Sequence, residues 1–493
     1  MSTQQQYHDQ LHALLSRRLA GAAGKMFSGD EIHKLAGALA GAVAELETHH
    51  QSASPHLQAL LAGEQPEPWG GPGELAFMLY YLHHPSGQMR AAIDARPALK
   101  IAWEAMAEVA PASPFTPDDV EKLRARVTDG EKVLCTAWGE ILSFETYERL
   151  DPDWAWPIMN YVLNFLPRWL DEKTTGLAPF VTADWTRPVP LAPGRDNKVR
   201  IALMGDWGTG PYTLTGMDSR DGPALEIMRA LAALPEPPDY LIHLGDTYYS
   251  GTGAGRMPEH EERQNLLDVW KQYAAIARPG HCFALNGNHE MYGGLYGYQK
   301  VLADGLFSAQ RGCSYFALEF GDWIIAGIDS SYFDTSVLYL DGSLGEESDP
   351  QYEFLRKIKA LGKKVILLSH HNAISTDGAS ASPKLWNQVT GIVFPDYWYW
   401  GHWHLGVAFS EHAYSGPIKT RCVGHGAIPF ANPPGMLACA GNIAWYAHTA
   451  PAAPGAFQPR AKNGYAVLTL TPSGITEEFY EVGTSKPVYS VSS

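Results

Sequence analysis

From residue 1 to about 172, apolar residues recur at spacings of three and four over 7–23, 29–48, 73–83 and 116–143. That period predicts amphipathic helices and little strand. The last stretch has a well-marked start: Thr116 is placed to cap, Pro117 takes the first helical position, and Asp118 and Asp119 fall in the first turn. Residues 173–198 turn rich in Pro, Thr and Gly, as in Arg187-Pro188-Val189-Pro190, and read as a linker. From Val199 the texture changes. Short apolar runs at 199–204, 240–244, 282–285, 323–328, 365–368 and 397–400 each end in a polar cluster, and helical stretches at 222–234, 259–277 and 349–361 lie between them. Buried strands alternating with helices predict an α/β layer architecture over 199–493, behind an all-helical domain over 1–172. In such sheets, chemistry gathers at the carboxyl ends of strands. The Pro/Gly/Ala-rich stretch 430–463 is too long for a simple connector and reads as a lid over a site or as surface loop.

A length of 493 residues accommodates two domains. The 37 Lys+Arg against 53 Asp+Glu leave a net charge of −16, spread over both halves. That balance argues against a protein built to grip nucleic acid or an anionic membrane, since both need a basic face. With 45% apolar and 18% charged residues, the chain is no disordered one. Five cysteines make no disulfide framework, and Cys282, Cys313 and Cys422 lie in apolar runs where a thiol serves as a small core residue. The first residues are polar, and Arg17-Arg18 is separated from the next apolar stretch by Asp30-Glu31-Ile32-His33-Lys34, so neither export signal is expected. The aromatic stretch 154–170 is interrupted by Pro157, Asn160, Asn164, Pro167 and Arg168, which fits helical core and excludes a membrane span. A cytoplasmic protein is the resulting expectation.

Five of the strand ends carry candidate metal ligands. They are Gly205-Asp206-Trp207-Gly208, Gly245-Asp246-Thr247-Tyr248-Tyr249, Gly287-Asn288-His289-Glu290, Ser369-His370-His371-Asn372 and Gly401-His402-Trp403-His404. One Gly-Asp after a strand is commonplace; five clusters in this order are not. Asp, Asn, His and Tyr offer oxygen and nitrogen donors without thiolates, which suits Fe, Mn, Zn or Mg. Two ions about 3.5–4 Å apart need a carboxylate between them, and together they orient a phosphate and activate water. An extended backbone puts His402 and His404 on one face, so each can serve a different ion. Beside these, His243 reads as a hydrogen-bonded core histidine, Glu290 as an acceptor behind the ligands, and Trp207 and Trp403 as pocket wall or core.

The five clusters resemble those of the calcineurin-like metallophosphoesterase superfamily, over residues 199 to about 482. Its fold is a four-layer α/β/β/α sandwich. Gly-Asp-x-x-Tyr in the second cluster, with Gly208 where an Asp-x-His histidine would stand, is similar to the purple acid phosphatase branch. In that branch a tyrosine phenolate replaces the missing imidazole. The resemblance implies one ion on Asp206, Asp246, Tyr249 and His404, and another on Asp246, Asn288, His370 and His402, with Asp246 bridging. It implies Fe(III) beside Tyr249, with Fe(II), Zn(II) or Mn(II) at the second site, and His289 as the catalytic residue that binds phosphate or protonates the leaving group. Tyr248 is the alternative to Tyr249, and His371 either replaces His370 or touches substrate; His425 is a further candidate for phosphate contact. The implied activity is phosphate-ester hydrolysis by a metal-bound hydroxide, first on monoesters of small substrates or phosphoproteins, with a phosphodiesterase second. A non-catalytic binding module on the same fold is the rival from another class. The helical N-terminal part resembles no family known for these motifs, and it departs from the β-rich N-terminal domain of familiar purple acid phosphatases.

Overall fold

A computed structural model of the chain describes residues 3–20, 27–64, 77–113, 115–126, 134–135, 141–148, 150–166, 176–208, 210–212, 222–251, 260–427, 441–447 and 461–493. The N-terminal part is helical, chiefly Thr3–Leu19, Gly29–Leu61, Pro97–Val109, Pro117–Ala125 and Trp156–Phe165. Ser28 and Thr116 each close a capping box, accepting from the backbone of Glu31 and Asp119 while those carboxylates accept in return. The expected helix over 116–143 stops at Ala125, and Leu134–Cys135 pairs antiparallel with Ile141–Leu142 instead. The intervening sequence Val127-Thr128-Asp129-Gly130 is weak in helix formers, which the spacing of apolar residues alone does not register. Conversely, the helix expected over 29–48 continues to Leu61.

Two sheets make up the C-terminal part. One has six strands in the order Tyr489–Ser492, Ile475–Glu481, Gly464–Leu470, Val199–Met204, Tyr240–His243, Cys282–Ala284. The other has eight, in the order Ile443–Tyr446, Gly406–Phe409, Lys419–Val423, Tyr397–Trp400, Lys364–Leu368, Trp323–Gly327, Phe316–Phe320, Val189–Pro190. Ile201, Leu203, Ile242 and Phe283 of the first sheet share a buried cluster with Ile325, Ile366 and Leu368 of the second. The helix Pro223–Ala232 covers the first sheet and Pro350–Ala360 the second, which completes an α/β/β/α sandwich. Within 430–463, the described residues 441–447 hold an edge strand, Ile443–Tyr446, on Gly406–Phe409; the rest of that stretch up to residue 460 lies outside the described residues. Within 173–198, Trp185 is buried and Val189–Pro190 pairs with Phe316–Phe320.

Topology places the chemistry. Val199–Met204, Tyr240–His243 and Cys282–Ala284 run parallel in adjacent register, so the residues that follow them emerge side by side. Lys364–Leu368 and Tyr397–Trp400 do the same in the other sheet. A second buried cluster is continuous from Leu39, Trp103, Trp154 and Ile158 of the helical part to Met204, Trp207, Ile227 and Tyr248. The helical part therefore packs directly on the strand ends that matter. Among the described residues, no helix is long and apolar enough to cross a membrane.

One polar group ties the two sheets together. Glu477, buried on Ile475–Glu481, accepts from Arg421 Nε at 2.7 Å and Nη2 at 3.0 Å, and from the Tyr399 hydroxyl at 2.6 Å. Removing one partner of such a pair strands a buried charge. Glu477→Ala should lower stability to denaturant by about 3–5 kcal/mol, read from the shift of the unfolding midpoint. A loss below about 1 kcal/mol, the size of an exposed ion pair, would show that the clasp contributes little.

Candidate metal centre

Asp206 and Asp246 follow neighbouring parallel strands and adopt left-handed backbone angles, φ 53° and 69°. This turns both carboxylates inward, and both are buried. Gly287 permits the approach: a Cβ there would lie 2.1 Å from Asp246 Oδ1. Glu290, buried behind, accepts from the backbone of Asp246 (3.2 Å), Thr247 (2.6 Å) and Gly287 (2.7 Å), and so fixes the loop that carries the bridging candidate. This is the acceptor role expected of it from sequence.

The ligand candidates fall into two groups. Asp206 Oδ1 lies 3.2 Å from the Tyr248 hydroxyl and 3.6 Å from His404 Nε2, and that hydroxyl is 2.7 Å from His404 Nε2. In the second group, Asn288 Oδ1 lies 3.0 Å from His370 Nε2 and 3.1 Å from His402 Nδ1. Asp246 joins them, with Oδ2 3.4 Å from the Tyr248 hydroxyl and Oδ1 3.3 Å from His370 Nε2. His370 Nδ1 lies 3.0 Å from the Leu244 carbonyl, which can only accept, so Nδ1 carries a proton and Nε2 faces the cluster. Asp206, Asp246 and His370 each offer a ligand atom within 4.8 Å of the others.

Electrostatics fit a cation. Burial drives the Asp206 carboxyl well above the usual carboxylate range, and the Asp246 charge adds to that. For Asp246, burial acts in the same direction but His370, His289 and His402 outweigh it and hold the carboxyl below its ordinary value. His370 is lifted to about 9: against the pull of burial, the Asp246 charge stabilises its protonated form. Two like charges this close cannot both be ionised cheaply unless positive charge is shared between them.

The phenol in the cluster belongs to Tyr248. Tyr249, the position expected from the motif spacing, turns away: its hydroxyl donates to Asp151 and accepts from the Tyr147 backbone at 2.9 Å. Gly208 explains the exchange from the other side. A Cβ built there would sit 1.5 Å from Tyr248 Cδ2, so the tyrosine ring fills the volume that a histidine side chain at 208 would need. Adjacent tyrosines give no composition signal to tell them apart.

Two further candidates differ in their surroundings. His371 forms with His370 and His402 a further group whose ligand atoms lie within 4.8 Å of one another, and it is also hydrogen-bonded, with Nδ1 2.9 Å from Ser330 Oγ and Nε2 2.8 Å from the Tyr339 carbonyl. His425 is fully buried, hemmed in by Gly406, Gly464 and Trp445, and makes no contact with the cluster among the described residues. Its side chain faces away because the residue before it, Gly424, is the one that abuts Asp206. His289, in contrast, stands at the cluster, with Nε2 3.9 Å from Asp246 Oδ2 and its backbone N–H donating to Asp246 Oδ1 at 3.0 Å. Burial lowers its pKa, and the Asp246 charge offsets that in part. His243 is a core histidine between Trp207 and Trp270, as expected.

The family model for calcineurin-like phosphoesterases matches residues 199–406, the segment that supplies every residue of the cluster. Residues 199–406 belong to that family. The phosphoesterase segment begins at the first residue of Val199–Met204 and ends in Gly406–Phe409, and the helical part before it matches no family. No curated protein matches the chain in sequence. Similar solved structures include a purple acid phosphatase from yellow lupin seeds, 16% identical over 61% of this chain and 54% of that one, with a TM-score of 0.39. GAP50, the anchor in the inner membrane complex of Plasmodium, is 12% identical over 60% of this chain and 88% of its own, and PhoD is 12% identical over 61% and 69%; both have TM-scores of 0.39. The chain thus spans about half the length of the lupin enzyme.

Gly208→Ala tests the Tyr248 assignment. The added methyl must displace the ring, so a phosphoesterase that binds two ions per chain should retain about one, by elemental analysis. A variant that keeps both ions would place the phenol outside the ligand set.

Proposed function

We propose that this centre hydrolyses phosphate monoesters of small substrates at a pair of metal ions. The observation that carries the reading is the division of seven donors into two groups that share Asp246, with the Tyr248 ring in the space vacated by Gly208. Asp206, Tyr248 and His404 would hold one ion, Asn288, His370 and His402 the other, and Asp246 both. The donors are hard or borderline, which suits Fe, Zn or Mn, and a phenolate favours Fe(III) at the Tyr248 side with Fe(II), Zn(II) or Mn(II) opposite. Bound ions of this kind orient a phosphoryl group, make water a nucleophile near neutral pH and offset the charge of an in-line displacement.

The chain's own part is orientation and proton transfer. His289 Nδ1 is engaged by the Tyr249 carbonyl, which can only accept, so the ring is fixed with its proton on Nδ1 and Nε2 facing the cluster. When the ring takes up a second proton, on Nε2, it can pass that proton to the departing alkoxide oxygen. Among the described residues, Asp206, Asp246, Asn288 and His370 are sealed, whereas residues 402–404 are half-buried and the His289 side chain is 10% exposed. That edge is the side from which a substrate would approach.

Turnover of an aryl phosphate should vanish when the protein is stripped with chelator and return with added metal. His289→Ala should lower kcat by about 10²–10⁴-fold with metal content unchanged. Faster cleavage of a bis-aryl diester than of the monoester would reverse the substrate assignment, and a metal-loaded but inert protein would favour a binding role.

A further inference from the structure

We propose that Asp151, contributed by the helical N-terminal part, is a positioning residue for the metal centre: it decides which of two adjacent tyrosines faces the ions. The proposal rests on the reading of the cluster as a metal centre. Tyr248 and Tyr249 are consecutive on one short loop, so an anchor on one side chain restrains the backbone that carries the other. Tyr248 is in the cluster, and the hold is on Tyr249. Its hydroxyl donates to Asp151 Oδ2 and accepts from the backbone N–H of Tyr147 at 2.9 Å. Its ring stacks on Tyr147 at 4.4 Å and 19°, and meets the edge of Trp154 at 4.9 Å and 80°.

Asp151 is itself immobilised. Its Oδ2 accepts from the Tyr147 N–H at 2.7 Å and its Oδ1 from the Asp153 N–H at 3.0 Å, and the residue is 4% exposed. The surrounding contacts extend the same hold. Asn265 Nδ2 donates to the Tyr248 carbonyl at 2.8 Å and to the Tyr147 hydroxyl at 3.1 Å, while Asn160 Nδ2 donates to Ser250 Oγ at 2.6 Å. Trp154 also stands edge-on to Tyr248, 5.6 Å between ring centres, and 6.3 Å from His289. The Tyr249 carbonyl is the acceptor for His289 Nδ1, so the residue that Asp151 grips orients the proton donor as well. One carboxylate about a hundred residues upstream thereby sets both a ligand and the catalytic histidine. This gives the helical part a role that the phosphoesterase segment does not supply for itself.

The test uses the full chain loaded with iron and the variants Asp151→Ala, Asp151→Asn, Tyr249→Phe and the double variant Asp151→Ala/Tyr249→Phe. Three quantities are read: the tyrosinate-to-iron absorption band, metal per chain, and kcat and KM on an aryl phosphate. Asp151→Ala should shift or halve the band and lower kcat by about 10–100-fold, the scale of a misplaced group, with KM changed less than about threefold. Asp151→Asn, which can still accept from the Tyr249 hydroxyl, should recover most of both. Tyr249→Phe removes the other half of the contact, so the double variant should be no worse than the poorer single one. If Asp151→Ala keeps the band, metal and kcat of the parent, the proposal is overturned. It is equally overturned if Asp151→Asn fails as badly as Asp151→Ala and both melt well below the parent, because the role is then structural alone. A parent chain that takes up no metal overturns the underlying reading of the centre, an outcome distinct from either.

Discussion

Asp206 and Asp246 stand at the ends of neighbouring parallel strands, both sealed from water, and among the described residues no lysine or arginine pairs with either. Burying carboxylates this way is costly unless a partner shares the charge. The partners here are the Tyr248 hydroxyl, the backbone N–H groups of His289 and His402, and the rings of His370 and His404. Asp206, Asp246 and His370 form a group that could hold a cation. The rest of the site follows from holding it open: left-handed backbone at both aspartates, glycine where an aspartate oxygen needs room, and Glu290 collecting three backbone N–H groups behind the loops. The net charge of −16 is no obstacle to a phosphate ligand, since bound cations invert the local sign.

The catalytic fold was largely legible because each strand is a short apolar run that stops at a glycine and a ligand. Asp206, Asp246, Asn288, His370, His402 and His404 emerge together because parallel pairing aligns consecutive strand ends. The choice between Tyr248 and Tyr249 was not legible. It is made by two features remote in sequence, the volume left free at Gly208 and the carboxylate of Asp151. His425, a further candidate in sequence, is buried against Gly406 and Gly464, while Gly424 before it abuts Asp206. Gly464–Leu470 and Ile475–Glu481 escaped notice because their Thr, Glu and Tyr content blurs the apolar run that marked the parallel strands.

The helical part is bound to the site through one buried apolar cluster and a few directed polar contacts. Trp154, Tyr147, Asn160 and Asn164 reach the loops after Tyr240–His243 and Cys282–Ala284, with Asn164 donating to the Met291 and Tyr292 carbonyls at 2.9 and 3.1 Å. Those loops carry Asp246, Tyr248, Asn288 and His289. The wall of the site on that side comes from outside the segment that the family model matches.

Anomalous diffraction from metal-loaded crystals of the full chain tests the centre most directly. Two peaks about 3.5–4 Å apart are expected, one on each side of Asp246, with the Tyr248 oxygen bonded to the ion that Asp206 and His404 also hold. A single peak, or a second ion bonded to Tyr249 with Tyr248 swung away, would contradict the arrangement.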